Sequence, residues 1–209
     1  MVCEVVCEFM YIKFWKRVVD LIAALIGLVI LAIPMAVIAL LIGVTSGRPI
    51  LFTQDRVGKN GKVFRMKKFR TMTVQKRNTC SITVANDQRI TPIGRFLRRW
   101  KLDELPQLWN VLLGEMSLVG PRPDVPGYAD KLRGNYRRLL VLRPGITGPA
   151  TLAYRNEEAI LAQVDDPIRY NDEVIYPDKV RRNLEYLDHC SFSKDLYYIW
   201  KTLSLARQS

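Results

Sequence analysis

Two adjacent carboxylates are the residues of this sequence best suited to chemistry. Asp103 and Glu104 lie in the stretch KLDELPQLWN, in a chain whose formal net charge is +12. Pro106 is tolerated in the first turn of a helix, so the pattern predicts a helix start with Asp103 as N-cap and Glu104 in the first turn. The helix dipole and nearby arginines are expected to keep Asp103 ionised at neutral pH. An ionised carboxylate can cap a helix, bind a metal or attack phosphorus, and the spacing alone favours the cap.

Two stiff turns that follow the acidic pair shift that balance toward chemistry. Residues 120–123 read GPRP and carry Arg122, and residues 143–148 read RPGITG and begin with Arg143. Proline and glycine make such turns rigid, and a fixed guanidinium suits bidentate contact with phosphate. The sequence therefore predicts a phosphate site assembled from loops.

A basic β-hairpin is predicted within residues 49–72, where two β-rich runs flank the turn signal GKNGK. Nine basic residues and no acidic one lie between residues 56 and 77, so this stretch must face anions. Lipid headgroups and substrate phosphates are both open as those anions, because a strand sends alternate side chains to opposite faces.

An apolar segment precedes the hairpin. Residues 21–44 are 24 residues without a charge, and as a helix they would reach about 36 Å against a hydrocarbon core of about 30 Å. Basic residues on both sides pull both ends toward the cytoplasm, which favours a re-entrant hairpin. Pro34 lacks an N–H, so a kink is expected there, between arms 21–33 and 34–44. An ordinary kinked transmembrane helix is the alternative.

Several amphipathic helices are predicted around the acidic pair. TPIGRFLRRW has an apolar stripe and a basic face, which indicates a helix that packs on a core or lies in the membrane interface. Two later helices are expected to begin at Asp178 and Ser193. The last helix has an apolar stripe that is expected to pack against the core, with membrane contact as the alternative. The stripe comprises Leu196, Ile199, Trp200 and Leu203.

Composition bounds the architecture and the partners. The chain has 209 residues, with 32 Lys and Arg against 20 Asp and Glu, so an anionic partner is expected. His189 and the four cysteines form no zinc or hydrolase motif. The prediction is an α/β chain, mainly helical with a small hairpin, divided into a membrane element (1–47) and a catalytic domain (48–209). A membrane-tethered nucleic-acid-binding protein is a rival, but no nucleic-acid-binding motif is found.

Taken together, the motifs resemble the monotopic phosphoglycosyl transferases, also called bacterial sugar transferases, in their minimal form. The resemblance extends from about Lys13 to Leu203. It is carried by the apolar segment with its proline and by FTQDRVG, KKFRTM, LDELPQLWNVLLGEMSLVGPRP and RPGITG, in this order.

The resemblance implies transfer of a phosphosugar from a UDP-sugar to polyprenol (undecaprenyl) phosphate with release of UMP. Asp103 would be the nucleophile that forms a covalent phosphosugar intermediate, Glu104 its dyad partner, and Mg²⁺ would bind beside Asp103. The candidate phosphate-binding residues are Arg122, Arg98, Lys68, Arg70, Arg56 and Arg143.

The same resemblance implies a place and partners in the cell. The hairpin would stay in one leaflet of the bacterial inner membrane, with the active site on the cytoplasmic face and the amphipathic helices in the interface. UDP-sugar, polyprenol phosphate, membrane lipids and downstream glycosyltransferases are the expected partners, and nucleic acid is not. The oligomeric state is open, a homodimer included.

The sequence departs from the family pattern at two places. Ile33 precedes the membrane proline where relatives often have serine, so the kink would depend on Pro34 alone. After RPGITG the chain continues PATLAYRNEEA rather than WAQVNGR. We expect sugar or nucleotide specificity to lie in this second segment, at Tyr154, Arg155, Asn156 and Glu157.

Overall fold

The computed structural model describes residues 11–73 and 89–206, and this part of the chain is mainly helical. The helices are α1 (Lys16–Ile30), α2 (Ala32–Ser46), α3 (Pro92–Arg99), α4 (Gln107–Leu113), α5 (Pro149–Ala153), α6 (Glu157–Leu161), α7 (Pro167–Tyr170), α8 (Tyr176–Asp188) and α9 (Phe192–Ala206). The strands are β1 (Leu51–Val57), β2 (Val63–Phe69), β3 (Ser117–Val119) and β4 (Gly145–Thr147). Short 3-10 helices span Lys59–Gly61, Leu102–Glu104, Ala129–Lys131 and Gly134–Val141, and π-helical turns span Tyr11–Trp15 and Asn171–Ile175.

The predicted hairpin is confirmed. β1 and β2 pair antiparallel from Leu51 with Phe69 to Val57 with Val63. The connection is the predicted GKNGK stretch, in which Asn60 and Gly61 adopt positive φ angles, as tight turns demand. A second sheet, which the sequence did not indicate, pairs β3 and β4 in parallel.

The apolar segment forms two helices bent by 61°, and the bend lies earlier than predicted. Leu31, with φ −91° and ψ 4°, separates α1 from α2, whereas Ile33 and Pro34 lie in the first turn of α2. A first-turn proline loses no intrahelical hydrogen bond, so Pro34 begins the second arm rather than interrupting it. Within the described residues no single helix could cross a membrane, although the bent pair together has the length and composition.

Each of the two membrane-segment helices, α1 and α2, packs against the rest of the molecule with one face. α1 lies against α4, where a Cβ added to Gly27 would be 3.2 Å from Leu108 Cδ1. α2 packs through Ile38 and Ile42 against Phe69 and Leu97. The outer faces are apolar and exposed, with Ile33 and Val44 each 78% accessible. Such a surface is costly in water and suits lipid.

The last two helices differ from their predicted positions. α8 begins at Tyr176, with Asp178 in its first turn. α9 begins at Phe192 because Ser191, not Ser193, caps it: Ser191 Oγ accepts from Lys194 N. The predicted core stripe of α9 is mostly wrong, since Trp200 is 66% exposed and Leu196 and Leu203 are exposed as well. Asp195, Tyr198, Ile199 and Thr202 face the interior instead.

Candidate active site

Asp103 and Glu104 lie in the 3-10 turn that joins α3 to α4. Lys101, in the left-handed region with φ 55°, turns the chain into this segment. Only 8% of Asp103 and 9% of Glu104 is accessible. The predicted N-cap is wrong: α4 begins at Gln107 with Pro106 at its cap position, so Asp103 is not used to cap a helix.

Glu104 is held by two basic side chains. Lys68 Nζ donates to Glu104 Oε1 at 2.7 Å, and an Arg122 guanidinium nitrogen donates to the same oxygen at 3.1 Å. Burial alone would raise the pKa of Glu104, but the charges of Arg122 and Lys68 outweigh it and lower the pKa to about 2. Glu104 is therefore a fixed anion.

Asp103 has the opposite environment. Among the described residues, none provides a hydrogen-bond partner for its buried Oδ1 atom. Burial raises the pKa of Asp103, as does the charge of Glu104, while Lys68, Lys101 and Arg98 oppose the shift. The expectation that dipole and arginines would dominate is thus corrected, because the desolvation of a buried carboxylate is the larger effect. The result is a carboxylate with an available oxygen.

Asn110, which the sequence reasoning missed, places Lys68 against the dyad. It is fully buried on α4. Its side-chain amide makes hydrogen bonds to the backbone of β2, in the way that the backbone of a neighbouring strand does. Nδ2 donates to Arg65 O at 2.8 Å, and Oδ1 accepts from Lys67 N at 3.0 Å. Because α4 begins three residues after Glu104, this clamp fixes β2, and with it Lys68, relative to Glu104.

Close contact between the two glycine turns positions Arg122. Gly120 N donates to Thr147 O at 2.9 Å, and Gly145 N donates to Pro121 O at 2.7 Å. A Cβ on Gly145 would lie 2.1 Å from Gly120 N, and one on Gly148 would lie 2.2 Å from Gly120 O. Only glycine permits this approach. The RPGITG turn therefore supports the GPRP turn from behind.

Three of the predicted phosphate-binding arginines are bonded to backbone carbonyls. Arg143 Nε donates to Gly114 O at 2.8 Å, just after α4. The buried Arg70 donates to Ser46, Gly47 and Arg48 carbonyls, where α2 ends. Arg56 donates to Pro123 O at 3.0 Å and to Gln54 Oε1 at 2.7 Å, and lines a small cavity with Arg122 and Gln107. Of these, Arg56 is the one adjacent to Arg122.

Arg98 is held beside the dyad. Its Nε donates to Thr71 Oγ1 at 2.9 Å, and its charge acts on Asp103. The structure thus brings Lys68, Arg98 and Arg122 around the two carboxylates.

The segment expected to carry specificity lies against α8. Tyr154 OH donates to Asp178 Oδ2 at 2.8 Å, and Lys179 Nζ donates to Glu157 Oε1 at 2.6 Å while lying over the Tyr154 ring. Glu157 acts electrostatically on Arg122, which connects this cluster to the dyad. Arg155 is half-buried and Asn156 is exposed, and Asn156 O accepts helical hydrogen bonds at the start of α6.

The comparison with known families decides the assignment of the chain. The model of the family described as bacterial sugar transferase matches residues 11–208. This chain belongs to the bacterial sugar transferase family. The resemblance inferred from the motifs is thereby confirmed, and members of the family are membrane-associated.

Relatives of this bacterial sugar transferase carry the names of undecaprenyl-phosphate sugar-phosphate transferases or of an exopolysaccharide production protein. The UDP-glucose:undecaprenyl-phosphate glucose-1-phosphate transferase of Klebsiella pneumoniae is 38% identical over 162 residues, which cover 75% of this chain and 35% of that protein. The UDP-N-acetylgalactosamine-undecaprenyl-phosphate N-acetylgalactosaminephosphotransferase of Aeromonas hydrophila is 32% identical, over 91% of this chain and 43% of its own length. The exopolysaccharide production protein PSS of Rhizobium leguminosarum is 36% identical over 90% of this chain and 92% of its own length.

At the sugar transferase site, Mg²⁺ would need ligands from the substrate as well as from the protein. Within residues 11–73 and 89–206, no cluster of three or more His, Cys, Asp or Glu side chains could hold a metal by itself. Magnesium usually binds through one or two carboxylates together with substrate phosphates and water. The unpartnered Oδ1 of Asp103 fits that requirement, whereas Oε1 of Glu104 is already bonded to Lys68 and Arg122.

Proposed function

We propose that this protein transfers a sugar 1-phosphate from a UDP-sugar to polyprenol phosphate, undecaprenyl phosphate in bacteria, and releases UMP. This is the first membrane step in the assembly of a glycoconjugate or exopolysaccharide. The observation that carries the proposal is the unequal dyad. Glu104 is locked by Lys68 and Arg122, while Asp103 next to it keeps a buried oxygen without a partner.

The first half-reaction uses Asp103 as the nucleophile. Its carboxylate attacks the phosphorus that bears the sugar, and the bond from that phosphorus to the bridging oxygen breaks. UMP leaves with the bridging oxygen and the electron pair, and Asp103 holds the phosphosugar. Partial desolvation makes this carboxylate a better nucleophile than one in water, because fewer solvent hydrogen bonds must be broken.

The second half-reaction restores the enzyme. A phosphate oxygen of the polyprenol carrier attacks the same phosphorus, the bond to Asp103 breaks, and the carboxylate is regenerated. Two displacements at one nucleophile give ping-pong kinetics.

The basic residues supply charge where the diphosphate is bound. Arg122 is partly exposed and uses one nitrogen for Glu104, so the rest of its guanidinium can bind a phosphate oxygen. Arg98 approaches from α3. Lys68 is mostly buried against Glu104, and its role is to hold that carboxylate and keep the local potential positive.

Mg²⁺ fits beside Asp103, which would hold it together with phosphate oxygens. When bound, the ion neutralises diphosphate charge and stabilises the departing UMP. Glu104 would leave this position to Asp103, because its Oε1 is already bonded to Lys68 and Arg122.

The bent helix pair explains how a water-soluble donor and a lipid carrier meet. α1 and α2 enter one leaflet of the inner membrane and return, with the catalytic residues on the cytoplasmic face. Phe96 of α3 and Trp100, which caps the end of α3, are exposed and lie in the interface, as amphipathic aromatic side chains prefer. The short link from α3 to Asp103 then keeps the nucleophile close to the lipid headgroups.

Sugar specificity is assigned to the Tyr154–Glu157 segment. Its contact with Lys179 and its electrostatic link to Arg122, the proposed phosphate-binding residue, support this assignment. Exchanging residues 154–157 with those of a relative that uses another sugar should change the ratio of kcat/KM values for the two donors. An unchanged ratio would remove this assignment.

The decisive experiment is intact-protein mass spectrometry on enzyme held in detergent or nanodiscs. The enzyme is incubated with Mg²⁺ and a panel of UDP-sugars, without polyprenol phosphate. The expected result is a mass gain of one phosphosugar with one donor and no gain in Asp103→Asn. If no donor gives an adduct and UMP is not released after polyprenol phosphate is added, the protein is a basic binding protein for anionic lipid or nucleic acid instead.

A further inference from the structure

Thr71, two residues after the end of β2, carries the hydroxyl that holds Arg98. Only 6% of Thr71 is exposed, and its Oγ1 accepts from Arg98 Nε at 2.9 Å. Among the described residues, Nε is the one nitrogen of this guanidinium that has a hydrogen-bond partner. The two terminal nitrogens are therefore left for a ligand, and their plane is set by the Thr71 hydroxyl.

The backbone of Thr71 also fixes the helix that carries Arg98. Thr71 O accepts from Thr91 N at 3.0 Å and from Thr91 Oγ1 at 3.3 Å, and Thr91 is the N-cap of α3. A Cβ on Gly94 would lie 2.1 Å from Thr71 O, so the first turn of α3 touches this carbonyl. One residue thus anchors α3 near its start and, through Arg98, in its last turn.

This anchor connects the two sides of the dyad. Thr71 lies three residues after Lys68, which binds Glu104, and α3 leads through Lys101 to Asp103. Arg98 lies in the last turn of α3, five residues before Asp103, so its guanidinium is carried by the segment that leads into the proposed nucleophile. Lys68 and the residue that holds Arg98 therefore belong to the same short stretch of chain, residues 68–71.

We infer that Thr71 is a positioning residue, whose hydroxyl orients Arg98 to bind two oxygens of the phosphate that Asp103 attacks. A planar guanidinium gains from a bidentate contact only when its plane is fixed. Thr71 does not touch the substrate, and it acts through Arg98. The inference rests on the proposed phosphosugar transfer.

A double-mutant cycle tests the inference, with UMP release as the readout and the full-length enzyme in nanodiscs. Thr71→Val keeps the shape but removes the acceptor. Since a hydrogen bond to a charged group is at stake, kcat/KM for the UDP-sugar should fall about tenfold or more. Thr71→Ser keeps the hydroxyl and should restore most of the activity. In an Arg98→Ala background, Thr71→Val should change kcat/KM less than about twofold.

The controls separate this inference from the proposed function and from simple damage to the fold. Thr73→Val, an exposed threonine two residues away, should retain the wild-type rate. If wild type and Thr73→Val release no UMP, the proposed function itself fails. If wild type is active but Thr71→Val lowers kcat/KM equally with and without Arg98, Thr71 is only structural and the inference is overturned.

A second variant covers the case in which Thr71→Val does not fold. Arg98→Lys keeps the positive charge but lacks the Nε donor and the planar fork. It should lose nearly as much kcat/KM as Arg98→Ala. A rate for Arg98→Lys close to that of wild type would overturn the inference, because orientation of the guanidinium would then not matter.

Discussion

Two buried carboxylates in this protein have contrasting surroundings. Asp195 on α9 is 5% exposed, and both of its oxygens are bonded: Oδ2 accepts from Tyr11 and Lys16, and Oδ1 accepts from Tyr186. Asp103 is equally buried, yet its Oδ1 has no partner among the described residues. The hydrogen bonds of Asp195 tie the start of α1 to α8 and α9. Within the described chain, Asp103 Oδ1 makes no such connection.

The difference distinguishes a structural network from a reactive one. A buried carboxylate without donors costs free energy, so folding by itself would favour a satisfied or neutral side chain at that position. The Asp195 network follows that rule and connects three helical segments. Asp103 departs from it, and its proposed role as a nucleophile for phosphorus would account for the lost stability.

The largest expected effect is the loss of turnover when Asp103 is replaced. Asp103→Asn should lower turnover by at least about a thousandfold, while the free energy of unfolding at neutral pH stays the same or rises, because an unpaired buried charge is removed. UMP release and chemical denaturation on the same preparation measure both. A large loss of stability in Asp103→Asn would show that this carboxylate is part of the structural framework.

Asp195→Asn should give the reverse pattern. It leaves the ammonium of Lys16 buried without its counter-ion, so unfolding should become easier by about 3–5 kcal/mol. Activity per folded molecule should be retained. Asp188→Asn is the matched control, because Asp188 pairs with Arg138 on the surface and should change stability by no more than about 1 kcal/mol. Equal losses of unfolding free energy in Asp195→Asn and Asp188→Asn would show that the Asp195 network is not a structural framework.

Glu104→Gln tests how the free energy of unfolding depends on pH in the acidic range. The pKa of Glu104 is about 2 when folded and about 4.3 when unfolded. The ionised form therefore stabilises the fold above about pH 4, and this contribution is lost as the pH falls toward 2. Glu104→Gln should remove about 2–3 kcal/mol at pH 7, with a smaller difference from wild type at pH 3. A difference that does not change with pH would contradict the assignment.

Local pattern predicted much of this architecture. Two β-rich runs and GKNGK were sufficient for the hairpin, and the uncharged run, its flanking basic residues and Pro34 were sufficient to predict a bent membrane segment. The position of the bend was missed because a proline is compatible with both a helix interior and a first turn, and only packing around Leu31 decides between them. The start of α9 was missed for a similar reason, since Ser191 and Ser193 are both plausible caps.

The site shows where sequence patterns are insufficient. The motifs indicated Asp103, Glu104 and Arg122, but a basic residue in a motif has several available partners. Arg70 and Arg143 look like phosphate-binding residues in the sequence, and in the fold they bind backbone carbonyls. The clamp made by Asn110 was invisible, because its hydrogen bonds join residues more than forty positions apart. Long-range pairing of this kind has no local signal.

The smallest expected effect concerns Asp124, which follows the GPRP turn. Burial raises its pKa to about 6, against the charges of Lys179, Arg56 and Arg122. Because the folded pKa is above the unfolded value of about 3.9, the stability contributed by the protonated form is complete below pH 4 and is lost as the pH rises through 6. Asp124→Asn should therefore become more stable relative to wild type by about 2 kcal/mol between pH 4 and pH 7. Denaturation curves across that range measure the gain. If the free energies of unfolding of wild type and Asp124→Asn change with pH in the same way, the pKa of Asp124 is not raised and burial does not desolvate its carboxylate.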